Sequence, residues 1–483
     1  MSFKEKAIAG LIWNSAGRFF ILFFEFIIGV ILARLLSPDE FGLVGMVTIF
    51  LILSETLINS GFSQALIRKP VCTEEDFSTA FTFNFFSSLL FMALLIIAAP
   101  AISSFYRSPI LTPIIQVLSA GLFINAIGFV QRTRFTRNLD FKSLNQISIF
   151  SAIISGAVSI VFAVKGFGVW SLIVKSITRD FVSTVLLWVK SSGFPKFEFY
   201  KSSFRDLFGF GSKLVISGVF GIFTNNAVYI VLGKYFLVSD VGFYNRAELF
   251  KNLPSQNIES IVSSVAYPVL AKVQHDKESF YQYFRKTLLT TFFVISVSMC
   301  GLFGVAESFI PLLLGNEWKT TATFLMYLCP AAIIYPLWTL NLNVFNIFGL
   351  AGMYMKMQLV MQILTLISVL SAIFLSISWM IFFLGITSLF SFLIFAHFSG
   401  LHTGYTLKKQ LTDITPSFLI SLGMGILVYL IGNNSGMSLF VTFILQFFSG
   451  VLFIFVVSEM IKPFPYVQIK EILTHDILKK IRY

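Results

Sequence analysis

The sequence predicts an all-α integral membrane protein of about fourteen transmembrane helices: two parallel-repeat six-helix lobes around a central cavity, then two C-terminal helices. Three observations predict it. Of 483 residues, 56% are hydrophobic and only 12% are charged, against about 25% charged in a soluble domain. The apolar residues gather in runs of about 20, the length that spans a bilayer. A segment around residues 32–43 recurs around 232–243, at a constant offset of 200.

Apolar runs between polar punctuation place the helices at about 8–33, 41–66, 77–99, 110–131, 145–164, 168–189, 208–233, 241–270, 287–306, 321–347, 357–377, 379–401, 415–432 and 437–458. The connections are too short for an inserted soluble domain. Arg18 and Glu25 interrupt the first run, so it does not read as a cleavable signal. Sorting Lys and Arg by side puts 25 on one set of connections and five on the other (Arg34, Arg107, Lys165, Lys234 and Lys319), with five inside spans. Cytoplasmic loops carry the excess of basic residues. Both termini are therefore expected in the cytoplasm, which requires an even number of spans and supports the weakly hydrophobic eighth. The net charge of +12 then reports membrane topology and contact with anionic lipid, not nucleic acid.

The repeat pairs Leu32-Ala33-Arg34 and Glu40-Phe41-Gly42-Leu43 with Leu232-Gly233-Lys234 and Asp240-Val241-Gly242-Phe243. In both copies a basic residue ends a helix, where it suits the dipole, and an acidic-x-Gly turn starts the next. Six spans per copy give both lobes the same orientation. The expected organisation is an N-lobe over 1–190, a cytoplasmic linker over 191–207, a C-lobe over 208–402, helices 13 and 14 over 403–460 and an amphipathic cytoplasmic tail over 461–483. Secondary transporters commonly place their substrate between such repeats.

Charges inside a bilayer usually face a partner or a water-filled cavity. Arg18 and Glu25 share a face of helix 1 with Asn14; Glu55 and Asn59 lie one turn apart in helix 2. Lys175, Arg179 and Ser183 form a stripe on helix 6 beside Asp180, and Asn225 and Asn226 sit in helix 7. Helix 8 carries Glu248, Asn252, Ser255 and Glu259 on one face, Lys251 beside it and Arg246 roughly opposite. These groups read either as internal ion pairs, with Lys175, Arg179 and Asp180 neutralising one another, or as the lining of a hydrated cavity. In the second reading Arg18, Arg246, Lys251, Lys175, Arg179, Asn225 and Asn226 are candidate substrate contacts. Glu25, Glu55, Glu248 and Glu259 are candidates for a coupling proton or sodium ion. Pro330 and Pro336 suggest a broken tenth helix, as a hinge or as a static kink. Helices 11 to 14 lack charges over 357–401 and 415–458, which fits lipid-facing packing or an apolar groove for a lipid tail. Three separated cysteines and four scattered histidines give no disulfide framework or metal site, and no cofactor is expected.

The stretch Leu32-Ala33-Arg34-Leu35-Leu36-Ser37-Pro38-Asp39-Glu40-Phe41-Gly42-Leu43 and the following Asn59–Ile67 resemble the bacterial polysaccharide exporters and Wzx-type flippases of the multidrug/oligosaccharidyl-lipid/polysaccharide superfamily. Gly242–Ala247 and Tyr267–Leu270 carry the same likeness in the second half, which is greatest to the colanic-acid and teichuronic-acid exporter branch. The resemblance implies a flippase of the bacterial inner membrane, not an enzyme. It would move undecaprenyl-diphosphate-linked oligosaccharide repeat units outward by alternating access, driven by a cation gradient. Diphosphate or acidic sugar would engage Arg18 and Arg246, then Lys251, Lys175 and Arg179. Expected partners are the lipid-linked oligosaccharide and membrane lipids, with polysaccharide polymerase or assembly proteins as candidates, and a monomer is expected. A multidrug antiporter of the same superfamily is the alternative.

Overall fold

A computed structural model describes residues 3–191 and 193–471, except the side chains of 3–16, 18, 213, 214, 216 and 217. Among these residues every regular element is helical: α1 (Phe3–Leu35), α2 (Pro38–Asn59), α3 (Phe62–Arg68), α4 (Glu74–Tyr106), α5 (Leu111–Arg137), α6 (Phe141–Val164), α7 (Trp170–Lys190) and α8 (Lys201–Tyr235). There follow α9 (Val238–Lys272), α10 (Lys277–Leu314), α11 (Lys319–Ile347), α12 (Ala351–Phe374), α13 (Ile377–Thr403), α14 (Leu407–Asn434), α15 (Leu439–Ile461) and α16 (Phe464–Glu471). Each expected span corresponds to one long helix. Among the described residues ten helices are long and apolar enough to cross a membrane. Two others, α7 and α9, have the length but carry the charged stripes.

Two local expectations change. The run 41–66 is not one helix: α2 ends and α3 begins across Ser60 and Gly61, both left-handed with φ of 44° and 69°. A Cβ on Gly61 would lie 2.6 Å from the Cα and carbonyl oxygen of Gly211 in α8, so the break lets two backbones meet. The expected break in the tenth span is absent, since α11 runs through Pro330 and Pro336. The tail begins as the short helix α16; residues 472–483 lie outside the described part.

The chain forms two compact units, Met1–Gly242 and Phe243–Tyr483. The packing boundary thus falls inside α9, whereas the repeat pattern marks its division at 191–207. In the first unit α5 packs on α2, α4 and α7, α6 joins α1 to α7, and α8 lies against α2, α3 and α4. The segment after α7 is strapped along the start of α4. Ser78 Oγ and Thr79 Oγ1 accept from the backbone N–H groups of Lys196 and Tyr200, each at 3.1 Å, and Thr82 donates to the Glu198 carbonyl at 3.0 Å. In the second unit α10 packs against α11, α14 and α15. Gln446 secures α15 there by donating to the carbonyls of Gly304 and Val428 at 3.0 and 2.9 Å. Arg285 of α10 forks onto Asp413 of α14 at 2.6 and 3.1 Å, and Tyr405 donates to the same carboxylate at 2.8 Å.

The repeat is visible in geometry as well as in sequence. The Glu40 carboxylate accepts from Ser37 N–H at 2.6 Å, and Asp240 accepts from Leu237 N–H at 3.3 Å. Each acid therefore closes the first turn of its helix. Two residues on, a Cβ on Gly42 would lie 2.0 Å from the Val238 carbonyl oxygen, and one on Gly242 would lie 1.9 Å from that of Pro38. Both partners are backbone atoms of a helix start, so no rotamer change relieves the clash. Small residues permit such close helix crossings inside membranes.

Gly42→Val and Gly242→Val are each expected to cost about 1–3 kcal/mol through overpacking, read as a lower melting temperature of the purified protein. Gly352→Ala, where the added methyl meets open space, should leave that temperature unchanged. Equal stability of all three variants would contradict the crossing.

Candidate functional site

The charged helices of the first unit bring their polar groups together across α1, α2, α5 and α7. Glu25 of α1 lies between two cations of α7: Oε2 accepts from Lys175 Nζ at 2.7 Å and Oε1 from Arg179 Nη1 at 2.8 Å. The Glu25 and Lys175 side chains keep 22% and 19% exposure and that of Arg179 keeps 43%, so the fork lies at an accessible face and not in a sealed core. One residue on, Asp180 lies in the field of Glu55, Arg132 and Arg179. A Cβ on Gly121 of α5 would stand 3.1 Å from its Oδ2. Further along, Arg132 donates to Ser183 Oγ at 3.3 Å, and Asn125 donates to Glu55 Oε1 at 3.0 Å.

Helix geometry makes this a track. Lys175, Arg179 and Ser183 stand four apart and present one stripe. Over those residues α7 rises about 12 Å at about 1.5 Å each. Asn125 and Arg132 are seven apart on α5, within about 20° of the same direction. Cations and carboxylates alternate along the track. An anionic group entering it meets Arg179 and Arg132, and a small cation meets Glu55 and Asp180.

The local-neutralisation reading of Lys175, Arg179 and Asp180 needs an added partner, Glu25, although Asp180 keeps Arg179 in its field. The two cations pair with Glu25, about 150 residues earlier, and Asp180 faces α5 and α2. Both Glu25 oxygens are thereby committed to cations, whereas Glu55 accepts from the neutral amide of Asn125 and lies in the field of Arg132 and Asp180. Arg132 and Asn125 were missed. Arg132 follows the apolar run and counted as a cytoplasmic basic residue, but α5 continues to Arg137. The spacing of seven from Asn125 was the available signal.

The Arg18 side chain lies outside the described part. Asn225 is exposed, and Asn226 donates back to the Ile222 carbonyl at 2.8 Å. In the second unit Glu248 lies 3.9 Å from Lys251, and buried Glu259 accepts from Ser263 and faces Tyr335 of α11. Arg246 is half-buried on the same helix. No group of three metal-binding side chains occurs among the described residues.

A family profile described as "polysaccharide biosynthesis protein" matches residues 31–323, more than half of the chain. This chain belongs to that family. Among its relatives, the teichuronic acid biosynthesis protein TuaB of Bacillus subtilis is 24% identical over 89% of each chain. The lipopolysaccharide biosynthesis protein WzxC of Escherichia coli is 23% identical over 69% of this chain and 68% of its own. The succinoglycan biosynthesis transport protein ExoT of Rhizobium meliloti is 25% identical over 61% of this chain and 60% of its own. In fold the chain matches the lipid II flippase MurJ in an inward closed conformation, with TM-score 0.76, 16% identity and coverage of 93% of this chain and 98% of that one. An inward-facing multidrug resistance transporter of the MATE family, itself assigned to the MOP superfamily, gives TM-score 0.62 at 14% identity, covering 79% of this chain and 95% of that one. The polysaccharide biosynthesis family member described here is an all-helical, multi-pass membrane protein, with ten helices among its described residues long and apolar enough to cross a bilayer.

Glu25→Gln would leave Lys175 and Arg179 facing each other without their shared anion. With the pair about one-fifth exposed, the expected loss is roughly 2 kcal/mol, below that of a fully buried pair. Exchanging the charges, Glu25→Lys with Lys175→Glu, should recover most of it, because Arg179 still faces an anion. Thermal unfolding of both variants checks the fork. A charge-swapped protein less stable than the single variant would contradict it.

Proposed function

We propose that this chain is a flippase that carries undecaprenyl-diphosphate-linked oligosaccharide repeat units across the bacterial inner membrane for surface polysaccharide. It works by cation-coupled alternating access, with both termini in the cytoplasm. The observation that carries this reading is the charged track on α1, α2, α5 and α7, in a family of polysaccharide biosynthesis proteins. A lipid-linked diphosphate needs cations to receive it, and Lys175, Arg179 and Arg132 supply them. Arg18, Arg246 and Lys251 are proposed as further substrate contacts, and Glu55, with Glu248 and Glu259, as the place of a coupling proton or sodium ion.

An isoprenoid tail needs the opposite chemistry, and the second unit offers it. A cleft of about 570 Å³ between α10, α11 and α13 is bordered by Phe303, Met326, Tyr327, Pro330, Trp379 and Phe382. Another of about 290 Å³ separates α10 from α14 and α15, with Leu302, Phe309, Phe443 and Phe447 among its walls. The fold likeness to a multidrug transporter favours a second reading, export of cationic drugs. Three cations in the track argue against that cargo.

Deleting the gene should trap lipid-linked repeat units in the cytoplasmic leaflet and remove the corresponding surface glycan. A plasmid copy should restore both, and Arg132→Gln should reduce complementation at least about tenfold if it removes one charge-assisted contact. An unchanged lipid-linked pool and surface glycan in the deletion strain would overturn the reading.

A further inference from the structure

A second polar cavity lies in the first unit, where α4 begins and α5 and α7 end. It encloses about 310 Å³ and is bordered by Arg134, Arg137, Lys190, Glu74, Phe77 and Cys72. Three cations thus face one carboxylate. Basic residues at helix C-termini are common because they suit the dipole. These differ in converging on one open-mouthed pocket.

Each cation is also held in place. The Arg134 guanidinium bonds Glu74 and lies 4.6 Å above the ring of Phe77, which fixes its plane. Gly193, with φ of 112°, passes so close that a Cβ there would stand 2.8 Å from Arg134 Nη1. Arg137 donates to the carbonyls of Leu66, Lys69 and Pro70, at 2.6 and 2.8 Å for the last two. Lys190 donates to Gln146 Oε1 at 2.8 Å. A guanidinium carries five N–H donors and an ammonium three, more than the named contacts of Arg137 and Lys190 use.

We propose that this cavity binds the phosphate of an anionic ligand on the basic face of the protein, independently of the transported cargo. A planar guanidinium fork held by stacking suits phosphate oxygens, and the lysine adds a point charge. Beside the cavity, the strap after α7 exposes Phe194, Phe197 and Phe199, a cluster of apolar rings of the kind that marks a membrane or partner contact. The phosphate therefore comes from a lipid headgroup or from a free phosphate compound, a distinction open to experiment.

Cys72 provides the reporter. It is partly accessible, while Cys300 and Cys329 are buried. Burial pushes the Cys72 thiol above its ordinary range, so labelling with a small maleimide belongs at mildly alkaline pH. The full-length protein would be placed in phosphatidylcholine nanodiscs, in discs containing phosphatidylglycerol, and in phosphatidylcholine discs with inorganic pyrophosphate in the buffer. Slowed labelling only with phosphatidylglycerol supports the site and assigns a headgroup. Slowed labelling with pyrophosphate supports it and assigns a free source. In either case Lys190→Gln, at the exposed end of α7, should weaken the protecting ligand about tenfold, the loss of one charge-assisted contact. Arg134→Lys, which keeps the charge toward Glu74 but removes the fork, should weaken it likewise and serves if the first variant folds poorly. No slowing in either arm, or protection unaltered in the folded variants, would overturn the proposal.

Discussion

The core of a bilayer holds no water, so every charge placed there must find its partner in the protein or in a solvated cavity. The Glu25 fork is the clearest expression of that constraint here. One carboxylate on α1 satisfies two cations on α7, and the pairing fixes how those helices face each other. Asp180 and Ser183 then point toward α5, where Arg132 and Asn125 continue the polar line to Glu55 on α2. Remove the fork and the line loses its register.

Around this polar strip the architecture follows from small residues and satisfied backbone. Helix starts meet at Gly42 and Gly242 because nothing larger than hydrogen fits between a Cα and a carbonyl oxygen. The connection after α7 follows a stripe of hydroxyls on α4, which spares its backbone groups from burial without partners. The second unit uses the same means toward a different end. Gln446 and the Arg285–Asp413 pair anchor α14 and α15 on α10, leaving apolar clefts between helices that carry few charges. One unit thus offers a charged track and the other apolar space, the two chemistries that an amphipathic lipid-linked glycan requires.

Most of the fold was legible because a bilayer imposes length and hydropathy on every span, and fourteen apolar runs became fourteen long helices. The repeat was legible too: Glu40 and Asp240, and Gly42 and Gly242, have matching roles at an offset of 200. The break at Ser60–Gly61 escaped notice because two polar residues inside a long apolar run do not by themselves mark a left-handed turn. Arg132 was passed over as a site residue because it lies just beyond the apolar run, whereas backbone hydrogen bonding carries α5 six residues further, from the expected end at 131 to Arg137. The stripe on α7 was visible, but its partner was not. A helix face can be read from spacing, whereas the identity of the facing helix depends on packing between residues about 150 apart.

The central claim is that the charged track serves a lipid-linked anion and not a cationic drug. The most direct test is transport by the purified protein in liposomes, with a fluorescent undecaprenyl-diphosphate oligosaccharide and a cationic dye offered in separate experiments under a proton or sodium gradient. The account predicts gradient-dependent movement of the lipid-linked oligosaccharide between leaflets, sharply reduced by Arg132→Gln, with no export of the dye. Export of the dye, with the lipid-linked oligosaccharide left in its original leaflet, would contradict it.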